Sequence, residues 1–148
     1  MKKLFYSITF LFLISTNLFS QSLEKLKLSA EELPEEYRLT EETQCKSIHP
    51  CLFYKQSDLY SSIVGKIKSK KIQNFVSEKD SGSIMYFEFE KEFEGEKFLK
   101  GLLWGSDQPS KLHPEELIAK GKILVIYSFD KDSGLKKLSQ DKVKLLLN

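Results

Sequence analysis

Alternating apolar and polar positions predict a strand in "SIMYFEFE", residues 83–90. Successive side chains of a strand point to opposite faces, so Met85 and Phe87 share one face while Glu88 and Glu90 share the other. We therefore expect Phe87 in the core and both glutamates in solvent. Charges on the open face of a sheet also oppose edge-to-edge aggregation.

A second stretch, "KILVIYSF" at 122–129, is apolar at both alternating positions. This pattern is typical of a central strand that is covered on both faces, so we expect Val125 in the core. The residues "ELIA" precede it, and Lys120 and Gly121 between them suit a tight hairpin, because glycine readily adopts a positive φ. Three shorter stretches are predicted as further strands: "EYRLT" at 36–40, "CLFYK" at 51–55 and "KIQNFVSE" at 71–78.

Three other stretches combine apolar residues at helical spacing with helix start or stop signals. The first helix would be capped by Ser57 or Asp58, and the last by Ser133. The second would begin after Gly95 and end at Gly105. The apolar stripes are Leu59, Ile63, Val64 and Ile67 in the first helix, Phe98, Leu99, Leu102 and Leu103 in the second, and Leu135, Leu138, Leu145 and Leu146 in the last.

These elements follow one another as β, β, α, β, β, α, β, β, α, and the inner βαββαβ order resembles the split βαβ of ferredoxin-like folds. The fold class is therefore predicted as α+β, a mostly antiparallel sheet with a C-terminal helix packed on it, in one small domain over 36–148. The resemblance concerns topology alone and implies no activity. The tetrapeptide "KDSG" occurs at 79–82 and at 131–134, and we interpret both copies as turns.

The N-terminal residues 1–20 have the pattern of a secretory signal peptide: Lys2 and Lys3, an apolar run, and then small and polar residues. The apolar run is shorter than the roughly 20 residues of a membrane-spanning helix, so we expect cleavage and no transmembrane segment afterwards. Residues 21–35 are polar and are predicted as a tail or short helix. The predicted location is periplasmic or secreted.

Charge gives no reason to expect nucleic acid as a partner. The chain has 23 lysine and arginine residues against 21 acidic residues, and removal of the signal peptide takes two lysines, which leaves 21 of each. Nucleic-acid binding needs a basic excess on one face. The lysine-rich "KIKSKK" at 66–71 is interpreted as a solvated helix end, and the alternative is a patch for anionic lipid or polysaccharide.

Both cysteines lie in "QCKSIHPC", residues 44–51. In an oxidising compartment two cysteines of a small exported chain usually pair, so we predict a disulfide between Cys45 and Cys51. The alternative is a metal site made by Cys45, His49, Cys51 and His113, because two cysteines and two histidines are a ligand set that zinc accepts.

The loop from Trp104 to Glu116 is the longest irregular stretch after the tail, and long loops on rigid scaffolds often bind ligands. We expect a ligand or partner surface at Trp104, Asp107 and His113, which offer an aromatic ring, a charge and a titratable group. No nucleophile elbow, phosphate-binding glycine loop or metal-spaced histidine pair is present, so neither catalysis nor a cofactor is expected. The sequence thus favours an exported, non-catalytic module that binds a protein or a small molecule of the cell envelope, and the alternative is a metal-handling protein or enzyme.

Overall fold

The computed structural model describes residues 22–148, so the predicted signal peptide lies outside the described residues. Five strands form one antiparallel sheet in the order β1-β2-β3-β5-β4. The strands are β1 (Arg38–Thr40), β2 (Ile67–Val76), β3 (Ser81–Phe89), β4 (Glu116–Lys120) and β5 (Ile123–Ser128). The helices are α1 (Ser22–Leu26), α2 (Ile48–Lys55), α3 (Ser61–Val64), α4 (Glu96–Trp104) and α5 (Gly134–Leu147), with a 3₁₀ turn at Ser57–Tyr60 before α3.

The predicted α+β class, the antiparallel sheet and the C-terminal helix are confirmed, whereas the ferredoxin-like order is not. Short turns join β2 to β3 and β4 to β5, so these strands pair directly with each other. Strands β3 and β4 run parallel to each other with β5 between them, as the two strands of a split βαβ unit do. Strand β1, however, is the direct antiparallel neighbour of β2, so these two strands do not form such a unit. Within the described chain, no helix has the length and apolar character needed to cross a membrane.

Both faces of the sheet are covered, which corrects the prediction that Glu88 lies in solvent. Helices α1 and α5 cover one face, where Tyr86 and Val125 belong to the core, and α2, α3 and α4 cover the other, where Phe87 belongs to the core. Val125 and Phe87 are buried as predicted, and Glu90 is exposed. Glu88 is only 8% exposed and accepts a hydrogen bond from the Ser69 hydroxyl, so alternation in β3 does not separate core from solvent.

Two of the short elements were predicted wrongly. The residues "CLFYK" belong to α2, and the proline inside its first turn is tolerated because the first amides of a helix need no partner within the helix. The helix predicted across 57–67 is a 3₁₀ turn followed by the single turn of α3, which ends at Gly65 with φ of 98°. Leu59 and Ile63 are consequently exposed, and Ile67 begins β2.

The helix signals at Gly95, Gly105 and Ser133 are confirmed. Gly95 and Gly105 flank α4, Gly121 turns the β4–β5 hairpin with φ of 59°, and the Ser133 hydroxyl accepts a hydrogen bond from the amide of Lys136 at the start of α5. The stripe of α5 was predicted wrongly beyond Leu135. Its buried residues are Leu135, Lys136, Ser139 and Val143, whereas Leu138, Leu145 and Leu146 are exposed.

The segment predicted as a polar tail or short helix contains α1, and its leucines lie in the core. Leu23, Leu26 and Leu28 are each 3% exposed or less and pack against the face of the sheet that α5 covers. The Gln73 side chain of β2 donates a hydrogen bond to the carbonyl of Leu28 at 2.9 Å and accepts one from its amide at 3.0 Å. A buried glutamine therefore fixes the segment on the sheet.

The two "KDSG" turns contact each other. The Ser133 hydroxyl of the second copy donates to Asp80 Oδ2 of the first at 2.6 Å, and the Tyr37 hydroxyl donates to the same oxygen at 2.7 Å. One carboxylate thus joins the β2–β3 turn, the start of α5 and the chain that leads into β1.

We predict that Tyr37→Phe reduces the loss of stability in alkali. Burial, followed by the hydrogen bond with Asp80, raises the pKa of Tyr37 from about 10 to about 12. A raised folded-state pKa gives stability that is present below pH 10 and is lost as the pH rises through 12. Tyr86 and Tyr127, whose pKa values are also raised by burial, remain in the variant. Urea unfolding between about pH 9 and 12 should show a shallower decline for Tyr37→Phe, and equal slopes would contradict this assignment.

Candidate functional site

The cysteine segment, residues 44–51, is closed by the predicted disulfide. Cys45 and Cys51 are bonded, with their Cα atoms 6.1 Å apart, and Cys51 lies in the first half of α2. The disulfide therefore ties the extended chain before α2 to the helix itself. In the usual chain-entropy account, closing so short a loop stabilises the fold by about 2 kcal/mol.

Beneath this segment, four polar side chains form a row across β2, β3, β5 and the residue before β4. Asn74 of β2 pairs with Ser83 of β3, Ser83 pairs with Ser128 of β5, and Glu115 immediately precedes the β4 residue that pairs with Tyr127. All four row members are buried, and Ser83, Ser128 and Glu115 have no exposed surface. The row lies on the face that carries α2 and α4. Ser83 is four residues from Phe87 in β3, and Ser128 is two residues from Ile126 in β5, and side chains an even number of positions apart in a strand share a face.

The cysteine segment crosses the strands along this polar row and bonds to it at successive points. The amide of Gln44 donates to Ser83 Oγ at 2.9 Å, and the amide of Lys46 donates to Ser128 Oγ at 2.7 Å. The Ser47 hydroxyl then donates to Glu115 Oε1 at 2.7 Å. Within the row, Ser83 Oγ donates to Asn74 Oδ1 at 2.7 Å. These contacts fix the backbone that leads into α2.

Glu115 is a buried carboxylate with incomplete hydrogen bonding. Its Oε1 accepts from Ser47 and, at 3.3 Å, from Ser128, whereas Oε2 has no hydrogen-bond partner in the described chain. No lysine or arginine side chain of the described chain forms an ion pair with it. Buried polar groups are normally satisfied, so this carboxylate is an unusual feature of the fold.

Two histidines meet at the end of the cysteine segment. The rings of His49, at the start of α2, and His113, before β4, lie with centroids 5.6 Å apart and planes inclined by 36°. The Nδ1 atom of each ring is buried without a hydrogen-bond partner among the described residues. Their sequence neighbours Ile48 and Leu112 are 71% and 78% exposed. We call these four residues, Ile48, His49, Leu112 and His113, the histidine-pair surface.

The structure gives the three loop residues predicted from the sequence different neighbours. His113 belongs to the histidine-pair surface, and Trp104 adjoins the polar row, since its Nε1 donates to the Glu115 carbonyl at 2.8 Å. Asp107 instead lines an open groove of about 540 Å³ beside α4, together with Lys100. The ammonium of Lys100 lies 5.9 Å from the centre of the Trp104 ring, so Trp104 lies between the groove and the row.

The proposed four-residue metal site is not formed, because the cysteine sulfurs are bonded to each other and cannot serve as thiolate ligands. Among the residues that the structure describes, no group of three or more histidine, cysteine, aspartate or glutamate side chains is arranged to hold a metal ion.

The lysines of "KIKSKK" lie at the start of β2 and not at a helix end, and each has a partner. Lys66 pairs with Glu90, Lys68 with Glu88 and Lys71 with Glu24, while Lys70 donates to the Tyr54 carbonyl.

The polar row, which includes Glu115, was not predicted from the sequence. Its one local signal was a serine at 83 and at 128, each on the side of its strand that also carries buried apolar residues. Glu115 showed no such signal, because its burial depends on the register between β4 and β5. Comparisons of the chain with protein-family models, with curated proteins and with solved structures give no match.

Proposed function

We propose that the protein is an exported, non-catalytic binding module of the cell envelope that recognises a protein partner through the histidine-pair surface. The observation that carries this proposal is the pair of exposed aliphatic side chains, Ile48 and Leu112, beside two adjacent imidazoles. Apolar and ring surfaces that lie in water are typical of sites that a partner covers.

The rigidity of the surface supports this proposal. Ile48 and His49 begin α2, directly after backbone that is fixed by the disulfide, by Ser128 and by Glu115. Side chains on a fixed backbone lose little conformational freedom on association, so more of their contact energy appears as affinity.

The exposure of Ile48 and Leu112 favours a macromolecule over an enclosed small ligand. Pockets for small molecules are usually concave and bury most of the ligand. The histidine-pair surface is not among the residues that line either groove beside α4, which measure about 540 and 590 Å³ and are open. The nearby Glu115 carboxylate is fully buried under Ser47 and does not reach the surface.

Export is supported by the disulfide, because such bonds persist in oxidising compartments. Fractionation of cells followed by N-terminal sequencing tests this part separately. We expect the protein in the periplasm or medium with an N-terminus near Gln21 or Ser22. Protein that is found in the cytoplasm with an intact Met1 and free thiols would contradict export.

The partner surface is tested by photocrosslinking in living cells. A photoreactive amino acid replaces Leu112 in one strain and Leu59 in another, and the two sites are matched because Leu112 is 78% and Leu59 is 73% exposed. Leu59 lies in the 3₁₀ turn before α3, outside the histidine-pair surface. We expect one discrete crosslinked protein from position 112 that disappears when Ile48→Ser is added.

Two results would contradict the proposal. One is the absence of a discrete product at position 112 in cells that contain the folded protein. The other is the same product at position 59 in equal yield, which would show contact without preference for the histidine-pair surface. Trp104 is the single tryptophan of the chain, so its emission provides an independent readout with the purified partner.

A further inference from the structure

Helix α5 exposes two leucines on a side that does not face the sheet. Leu138 is 40% exposed and Leu145 is 76% exposed. Leu138 and Leu145 are seven residues apart and therefore lie on the same side of the helix. The buried residues of α5, such as Leu135 and Val143, lie on another side. The helix thus has a second apolar stripe that nothing in the described chain covers.

Three exposed lysines near this stripe have no carboxylate partner in the described chain. Lys137 and Lys144 belong to α5, while Lys120 ends β4 at the β4–β5 turn. The Lys120 ammonium lies 3.4 Å from the Asn148 amide oxygen, which places the turn beside the end of α5.

The charge of this region is positive. Asp141 is the one acidic residue of α5, against Lys137 and Lys144 on the same helix, which form no ion pair within the described chain. By contrast, every lysine of "KIKSKK" has a hydrogen-bond or ion-pair partner. The cationic charge next to exposed leucines is therefore concentrated at α5, and not on β2 where the sequence shows its densest lysine cluster.

We propose that the lysine- and leucine-bearing face of α5 docks on an anionic lipid surface. Interfacial helices place leucines at the boundary between headgroups and acyl chains and keep lysines at the level of the phosphates. An uncharged apolar partner would leave Lys120, Lys137 and Lys144 without counter-charges, whereas a layer of anionic headgroups supplies them along this face. A lysine near such a surface strengthens binding about fivefold.

This inference goes beyond the proposed partner binding and does not depend on it. Helix α5 covers one face of the sheet, and the histidine-pair surface lies with α2 on the other. A protein that rests on lipid through α5 would therefore present the histidine-pair surface away from the membrane.

The test is sedimentation of the processed protein, purified from the compartment in which it is found, with vesicles of phosphatidylglycerol or of phosphatidylcholine. We expect binding to phosphatidylglycerol that weakens as salt rises, and little binding to phosphatidylcholine. Lys137→Gln with Lys144→Gln should weaken binding roughly 25-fold. Leu145→Ser should weaken it by about tenfold, because part of a leucine side chain no longer enters the interface.

The matched control is Leu59→Ser, which removes an equally exposed leucine from the opposite face and should leave vesicle binding unchanged. Circular dichroism spectra should be the same for all variants, since every substituted side chain is exposed. No binding to phosphatidylglycerol vesicles, equal binding to both lipids, or an equal effect of Leu59→Ser and Leu145→Ser would each overturn the proposal.

Discussion

Replacing Gly82 by alanine is expected to destabilise the protein by about 3 kcal/mol, because a Cβ at this position would overlap the ring of Phe129. Gly82 lies in β3 opposite Phe75, and the ring of Phe129 packs directly over its backbone. Phe129 and Phe75 have no exposed surface, so neither ring can move aside without disturbing the core beneath α5. The midpoint and slope of guanidinium unfolding measure the loss.

The matched control is Gly101→Ala. Gly101 is exposed in the middle of α4, and a Cβ there would meet no atom within 4 Å. Alanine favours the helix over glycine, so this variant should gain about 0.5 to 1 kcal/mol. A Gly82→Ala protein as stable as the wild type would show that Phe129 does not pack against this strand.

Glu115→Ala is expected to cost about 3 kcal/mol, whereas Glu115→Gln should stay within about 1 kcal/mol of the wild type or exceed it. Alanine leaves a cavity and deprives the Ser47 and Ser128 hydroxyls of their acceptor. A glutamine side chain has nearly the shape of glutamate and retains one acceptor oxygen. The substitution also removes a carboxylate from a buried position that has no ion-pair partner in the described chain.

Urea unfolding at neutral pH measures the difference in stability between the two Glu115 variants. Glu90→Gln serves as the control, because Glu90 is exposed and its ion pair with Lys66 lies at the surface. If Glu115→Gln and Glu115→Ala lost equal stability, the negative charge itself would hold the cysteine segment. That result would contradict a role for Glu115 as a hydrogen-bond acceptor of the polar row.

Local signals in the sequence predicted the elements whose ends depend on one residue. Gly105 marked the end of α4, Ser133 the start of α5 and Gly121 the β4–β5 hairpin, because a left-handed residue or a side-chain cap acts through its nearest neighbours. Such signals do not depend on the rest of the fold.

The errors have a common physical cause in tertiary packing. Glu88 was assigned to solvent because alternation in β3 shows two chemically different faces, but α1 and α5 cover the face that Glu88 shares with Tyr86, and Glu88 is buried beside Ser69. The stripe of α5 was misassigned for a related reason, since the leucines that repeat in sequence are not those that meet the sheet.

The site was harder to predict than the fold. Cys45 and Cys51 were paired correctly because their spacing is local, whereas the polar row requires the register of four strands at once. A register shift of one residue would move Ser83 or Ser128 to the opposite face. The meeting of His49 with His113, 64 positions apart in the numbering, likewise depends on the whole sheet.

The histidine-pair surface requires a fixed backbone in the cysteine segment. Amide hydrogen exchange at Gln44 and Lys46 measures most directly whether that backbone is fixed. Both amides donate to buried serine hydroxyls, so they should exchange far more slowly than amides of an unstructured peptide. Ser128→Ala should accelerate exchange at Lys46 more than at Gln44, and Ser83→Ala should do the reverse. Exchange of both amides at the unstructured rate in the wild type, with the disulfide intact, would show that the segment does not rest on the polar row and would contradict the account.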